Sequence, residues 1–261
     1  MNGRIDVARA GVVATVLIDN ADKLNALTVA MWQELARVMH ALSAEDDLRC
    51  IVLRGAGEKA FAAGADIAEF ASVRSTREQG VVYHRKHVHS ALQAVAECRH
   101  PVVAMIHGPC VGGGLELACQ CDLRLAGVSG RFGVPINRLG FSIAYDELAA
   151  VLPVVGRAAA LEILIEGRLL HAKEAYEKGL LTRVVPDEKL EAEVSATVER
   201  ICAGAPLVAR WHKQFVRRLT PRAETLTAQE IEDSFAYFDT EDFREGFAAF
   251  MEKRQSAFKG R

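Results

Sequence analysis

The chain has 261 residues, half of them apolar, which is enough for a sizeable buried core in one large domain or one domain with an appendage. A formal net charge of -2 and a pI near 6.5 leave no basic footprint for nucleic acid or an anionic membrane. No run approaches the roughly 20 uninterrupted apolar residues of a membrane span, and residues 1–6 carry no apolar leader, so the expected setting is the cytoplasm, with no membrane partner.

Residues 12–19 are β-branched and short, which predicts a strand, and the polar connection after it holds Lys23 and Asn25. From Thr28 onward Trp32, Leu35, Met39 and Leu42 recur at helical spacing, so a helix with Thr28 as its N-cap is expected to about residue 45. Residues 49–54 have the pattern of a buried strand, broken by Gly55-Ala56-Gly57, and residues 61–67 form a small-residue loop that runs into a helix. Residues 76–98 read as helical and hold His84, His87 and His89. His84 and His87 share a helix face, but Arg85, Lys86 and the lack of a nearby carboxylate favour a solvated basic face over a metal site.

An apolar run, 102–106, follows Pro101 and leads into His107-Gly108-Pro109-Cys110-Val111-Gly112-Gly113-Gly114-Leu115-Glu116. Residues 122–126 resume a strand, 131–141 read as irregular, and 157–166, 171–178 and 187–202 read as helices joined by short β-like pieces such as 182–185. Alternating strands and helices over the first 200 or so residues argue for parallel βα units covered on both faces. Beyond Pro206 the pattern is helical throughout, with Trp211, Phe215 and Leu219 on one repeat, 223–238 continuing, and Phe243, Phe247 and Phe250 near the end. Such an aromatic helical tail docks on its own core or on a neighbouring subunit. Six cysteines (Cys50, Cys98, Cys110, Cys119, Cys121, Cys202) lie in apolar stretches without a CxxC pair and read as buried thiols.

The glycine run carries the chemistry. Three glycines between a strand and a helix leave bare backbone N–H groups at a helix N-terminus, a setting for negative charge, whether a fixed phosphate or an oxyanion that develops in a reaction. Close packing of backbone is the competing reason for glycine here. Glu116 stands among apolar residues, where burial raises a carboxyl's pKa toward neutrality and suits it to proton transfer; a simple helix-dipole partner is the alternative. The loop at 61–67 is the other place where bare amides are displayed, so the two loops could converge on one carbonyl oxygen.

Several phrases together resemble the enoyl-CoA hydratase/isomerase family, the crotonase superfamily. They are Asn25-Ala26-Leu27, Lys59-Ala60-Phe61-Ala62-Ala63-Gly64-Ala65-Asp66-Ile67, Gly112-Gly113-Gly114-Leu115-Glu116-Leu117-Ala118 with Cys121-Asp122, Phe132-Gly133-Val134-Pro135, and Glu245-Gly246-Phe247. The resemblance spans nearly the whole chain. It implies an α/β fold, a spiral of ββα units over residues 1–203 that binds an acyl-CoA thioester, and an all-helical region, 204–261, that builds a homotrimer or a dimer of trimers. CoA belongs to the substrate, and no separate cofactor or metal is implied. Carried over by position, the amides of Ala65 and Gly113 form an oxyanion hole for the thioester oxygen, and Lys23, Ala63, Asp66 and Ile67 contact CoA.

The family's hydratases use two glutamates, one to activate water and one to assist proton delivery. Glu116 matches the first, but the second would directly follow Pro135, where this chain has Ile136. Isoleucine moves no proton. The family's glycine-rich segment just beyond is replaced by Phe141-Ser142-Ile143-Ala144-Tyr145-Asp146-Glu147, whose Tyr145, Asp146 and Glu147 either supply a substitute or merely open a helix from its polar end. The leading expectation is therefore an enzyme of acyl-CoA metabolism that works through a stabilised enolate, with Glu116 as the single glutamate in a family position. A decarboxylase or thioester hydrolase of the same fold, and a non-catalytic CoA-thioester binder, are the alternatives.

Overall fold

In the computed structural model, residues 3–220 and 225–260 are described. Strand β1 (Arg4–Ala10) turns back at Gly11 and pairs antiparallel with β2 (Val13–Asp19), whose alternate residues Ala14, Val16 and Ile18 are buried. Helix α1 (Val29–Ala44) starts where Thr28 accepts a hydrogen bond from the Met31 amide at 3.2 Å, and it buries the predicted stripe including Trp32, Leu35, Met39 and Leu42. Then follow β3 (Cys50–Gly55), the short helices α2 (Phe70–Val73) and α3 (Arg77–Val82), and α4 (His89–Glu97). Between α3 and α4 the backbone widens into a π-helical turn, Tyr83–Val88. Such a turn rotates the side chains that follow it relative to an unbroken α-helix.

The remaining chain repeats a strand, strand, helix order. Strands β4 (Val102–Ile106) and β5 (Pro109–Val111) lead into α5 (Gly113–Gln120), and β6 (Leu123–Gly127) and β7 (Arg131–Gly133) lead into α6 (Tyr145–Glu166). After β8 (Leu170–His171) and α7 (Ala172–Glu177) come β9 (Arg183–Val185) and α8 (Leu190–Ala203). One strand of each pair joins a six-stranded sheet of order β1-β2-β3-β4-β6-β9, parallel from β2 onward, while β5, β7 and β8 form a second, three-stranded sheet. The stretch 131–141 is thus less irregular than its sequence predicts: it contains β7 and a 3-10 turn, Pro135–Leu139. Both are too short to leave a periodic signature.

Helix α6 has the length and apolarity of a membrane span, but Pro153 lies within it and Gly156, at φ 73°, breaks it into two arms. Each arm is shorter than the roughly 20 residues a bilayer needs. One face of α6, through Ala150, Val151, Ala159, Ala160 and Ile163, packs into the main core.

Beyond α8 the chain is helical: α9 (Pro206–Leu219), α10 (Ala228–Asp233) and α11 (Glu241–Met251). Residues 223 and 224 of the predicted helix 223–238 lie outside the described residues. Helix α9 meets the core with its basic side chains. Arg210 donates to the Asp46 carbonyl at 2.8 Å, Lys213 to Asp122 at 2.8 Å and Arg217 to the Ala96 carbonyl at 2.9 Å. Its apolar residues Trp211, Phe215, Val216 and Leu219 are exposed.

Candidate active site

The site is built where β4 delivers the glycine run. Every residue of β4 is buried, so the chain leaves the sheet at a fixed point. The small-residue loop lies against it: the Val111 amide donates to the Ala62 carbonyl at 3.0 Å, and a Cβ on Gly64 would stand 3.1 Å from the Val111 oxygen. On the other side Leu27 donates to the Gly64 carbonyl at 2.7 Å and receives a bond from the Asp66 amide at 2.9 Å. These bonds use the groups flanking Ala65 and leave the Ala65 amide without an acceptor among the described residues.

The facing loop repeats the arrangement. Gly112 donates to the Gly133 carbonyl at 2.9 Å, and Glu116 donates back to the Gly112 carbonyl at 3.0 Å. Gly113 opens α5 between them, and its amide likewise has no acceptor among the described residues, as the first turn of a helix dictates. Gly112 has φ 53° and ψ -126°, a backbone that a residue with a Cβ adopts only with strain. Ala65 and Gly113 line one cavity of about 480 Å³, together with Ala63, Ile67, Glu116 and Ile136.

Glu116 is buried in the first turn of α5, and a Cβ on Gly113 would lie 3.7 Å from its Oε2. Its carboxyl makes no hydrogen bond to the protein among the described residues. Burial raises its pKa well above the ordinary carboxylate value, the charge of Glu147 raises it further, and the Arg74 guanidinium opposes both. Burial thus favours the protonated form of this carboxyl.

Ile136 lines the cavity from the 3-10 turn, where the missing second glutamate would stand. The segment 145–147 does two things at once. It opens α6, with Asp146 turned toward Arg85 at 3.9 Å and His89 at 3.7 Å, and Tyr145 is 39% exposed and does not line the cavity. Glu147 points the other way, is buried, and lines the cavity. Its Oε1 accepts from Nδ1 of His84.

His84 corrects the reading of the histidine helix as a solvated face. It is buried, and the π-helical turn aims it inward, while among the described residues no cluster of His, Cys, Asp or Glu could hold a metal. On its other side His84 Nε2 lies 3.3 Å from Nη1 of Arg74. A guanidinium only donates, so Nε2 accepts and the ring proton sits on Nδ1, facing Glu147. Arg74 and Tyr83 also line the cavity. The Tyr83 hydroxyl accepts from the Trp32 indole at 3.0 Å, and burial pushes its pKa up to about 12. Sequence reading missed Arg74, Tyr83 and the inward turn of His84. Arg74 stands between Val73 and Ser75 with no motif around it, and a widened helical turn has no sequence signal.

The four residues matched by position to CoA contacts divide into two pairs. Ala63 and Ile67 line the cavity. Lys23 and Asp66 do not, but their side chains meet at 2.6 Å, with Lys23 half-exposed and Asp66 buried, and Asp66 also accepts from the Ala68 amide at 3.1 Å.

Comparison with known proteins fits this geometry. The family model for enoyl-CoA hydratase/isomerase matches residues 8–261, and the chain belongs to that family. A probable enoyl-CoA hydratase of Rhizobium meliloti (strain 1021) is 34% identical, covering 98% of this chain and 97% of its own. Among solved structures, an enoyl-CoA hydratase/carnithine racemase from Magnetospirillum magneticum is 48% identical with a TM-score of 0.82, covering 98% of this chain and 96% of its own. A methylmalonyl-CoA decarboxylase in complex with 2-nitronate-propionyl-CoA is 27% identical with a TM-score of 0.88, covering 99% of each chain. The fold is that of the crotonase superfamily, and the chain is an enzyme of hydratase/isomerase type that acts on CoA thioesters.

Proposed function

We propose that the enzyme adds water across the α,β double bond of an enoyl-CoA thioester, with Glu116 and Glu147 as its two carboxyl groups. The observation that carries this reading is one cavity lined by the buried Glu116 carboxyl, whose pKa burial raises, by Glu147, and by Ala65 and Gly113, whose amides have no acceptor among the described residues. The thioester oxygen takes the hydrogen bonds of the Ala65 and Gly113 amides. Such donors act most strongly on the enolate, where the charge develops, and losing one elsewhere costs on the order of 10²- to 10³-fold in rate. Glu147, oriented by His84, accepts a proton from water as its oxygen bonds to the β carbon. The π electrons move onto the thioester oxygen, and as the enolate collapses the proton of Glu116 passes to the α carbon.

The carboxyl pair carries one proton before and after, and a proton passed from Glu147 to Glu116 resets the site. This gives Glu116 the acid role in hydration, the reverse of the water-activating role that the family resemblance implies. The physical reason is its burial. Glu147 supplies the second carboxyl that Ile136 does not, in the water-activating role.

Lys23, Ala63, Asp66 and Ile67 are proposed to hold the CoA portion, Lys23 through its charge at the half-exposed end. The apolar face of α9 is proposed to be covered by further copies of the chain, in a trimer or a dimer of trimers. A decarboxylase is the second reading, favoured by the TM-score of 0.88 to the methylmalonyl-CoA decarboxylase and by the aliphatic residue at Ile136. Incubation with enoyl-CoA, malonyl-type CoA and saturated acyl-CoA thioesters separates the readings by product mass. Hydration gains one water, decarboxylation loses carbon dioxide, and hydrolysis frees CoA.

A further inference from the structure

Among the described residues that line the cavity, Arg74 is a buried charged group that the proposed chemistry leaves unused, whereas Arg138 at the cavity wall is exposed. It is 7% exposed and lines the cavity, yet its Nε has no hydrogen-bond partner, and no carboxylate pairs with it among the described residues. Its guanidinium stacks over Phe70, 3.5 Å from the ring centroid, and lies 4.2 Å from that of Tyr83. Only Nη1 is engaged, by His84. Glu147 stands behind that imidazole and reaches Arg74 only through it.

A buried cation without an anion is costly, and aromatic faces replace only part of its lost hydration. Resting on the function proposed above, the geometry points to an acyl group that carries its own carboxylate: Arg74 receives the distal carboxylate of a dicarboxylic acyl-CoA monothioester. The cavity walls otherwise fit a hydrocarbon chain, with Phe70, Val88, Leu139 and Phe141 among them. Nη2 has no partner among the described residues and, unlike Nε, is not sealed off, so an anion there leaves the contact of Nη1 with His84 in place. Ion pairing holds that carboxylate in its ground state, which opposes loss of carbon dioxide and favours a carboxylate that survives the reaction.

The test is calorimetric binding of saturated, unreactive thioesters in matched pairs: pentanoyl-CoA against glutaryl-CoA, and hexanoyl-CoA against adipoyl-CoA. In at least one pair the carboxylate-ended ligand should bind about 30-fold more tightly or better, as expected for completing a desolvated charge pair. Arg74→Met should abolish that preference while leaving the affinity for the methyl-ended partner nearly unchanged. Arg74→Lys keeps the charge without the fork and should retain part of the preference, and it serves if the methionine variant does not fold. Equal affinity within both pairs in the wild type, or a preference that persists in Arg74→Met, overturns the inference while leaving the proposed function intact. Failure of all four ligands to bind overturns the proposed function itself.

Discussion

His84 donates its Nδ1 proton to Glu147, joining the π-helical turn before α4 to the first turn of α6 across the wall of the cavity. The bond holds the Glu147 carboxyl in the wall of the cavity that Glu116 also lines, without using the position that Ile136 occupies.

If Glu147 is the base, Glu147→Gln should lower kcat for hydration by about 10²- to 10⁴-fold with little change in KM, the span typical of removing a positioned acid or base. His84→Asn should lower it less, because Glu147 remains. Asp146→Asn, a change of similar size on the outward face of the same turn, should leave steady-state rates near wild type. Equal losses in Asp146→Asn and Glu147→Gln would count against the assignment.

The raised pKa of Glu116 makes a prediction about stability. Between the ordinary carboxyl value in the unfolded chain and the raised value in the fold, the native state holds a proton that the unfolded state has released. Stability therefore falls as pH rises through that window, by about 1.4 kcal/mol per pH unit from this group. Glu116→Gln removes the dependence. Thermal melts from pH 5 to pH 8 should show the variant gaining on wild type as pH rises, whereas parallel curves would mean that Glu116 is not held protonated.

Gly114 packs against the facing loop so closely that a Cβ would meet the Ala62 carbonyl oxygen inside contact distance. Gly114→Ala should therefore push apart the loops that carry Ala65 and Gly113. The expected result is a loss of about 1–3 kcal/mol of stability in denaturant unfolding and a fall in kcat for every thioester tested, not for one chain length alone.

The outward face of α9 should be an assembly surface. Trp211→Glu with Phe215→Glu replaces two exposed aromatics without touching the basic residues that hold the helix to its core. Light scattering should give a multiple of three times the 28.4 kDa chain for wild type and a smaller mass for the double variant. A wild-type monomer would remove the proposal.

Much of this was legible in the sequence because it rests on local patterns. The stripe of α1, its Thr28 cap, the buried run of β4 and the two small-residue loops each follow from periodicity or from glycine, and Ala65, Gly113 and Glu116, named from the family resemblance and the glycine run, line one cavity. The loss at Ile136 was legible too, since the motif fixes its place in the cavity wall. What replaces it was not. Of the three groups at 145–147, only the direction of each side chain on α6 selects Glu147, and that direction depends on packing. His84 lies in a helical stretch whose π-helical turn changes which face looks inward, and Arg74 lies in the bend between α2 and α3, where no periodicity marks it. An imidazole and a guanidinium thus reach the cavity from two separate segments.

The central claim is that Glu116 moves the proton and the loop amides hold the oxygen. Single-turnover hydration of a short enoyl-CoA by wild type and Glu116→Gln, with thioester affinity measured in parallel, tests it most directly. Wild type should give a product heavier by one water, and the variant at least a 10³-fold slower turnover with nearly unchanged affinity. Turnover retained in Glu116→Gln would contradict it.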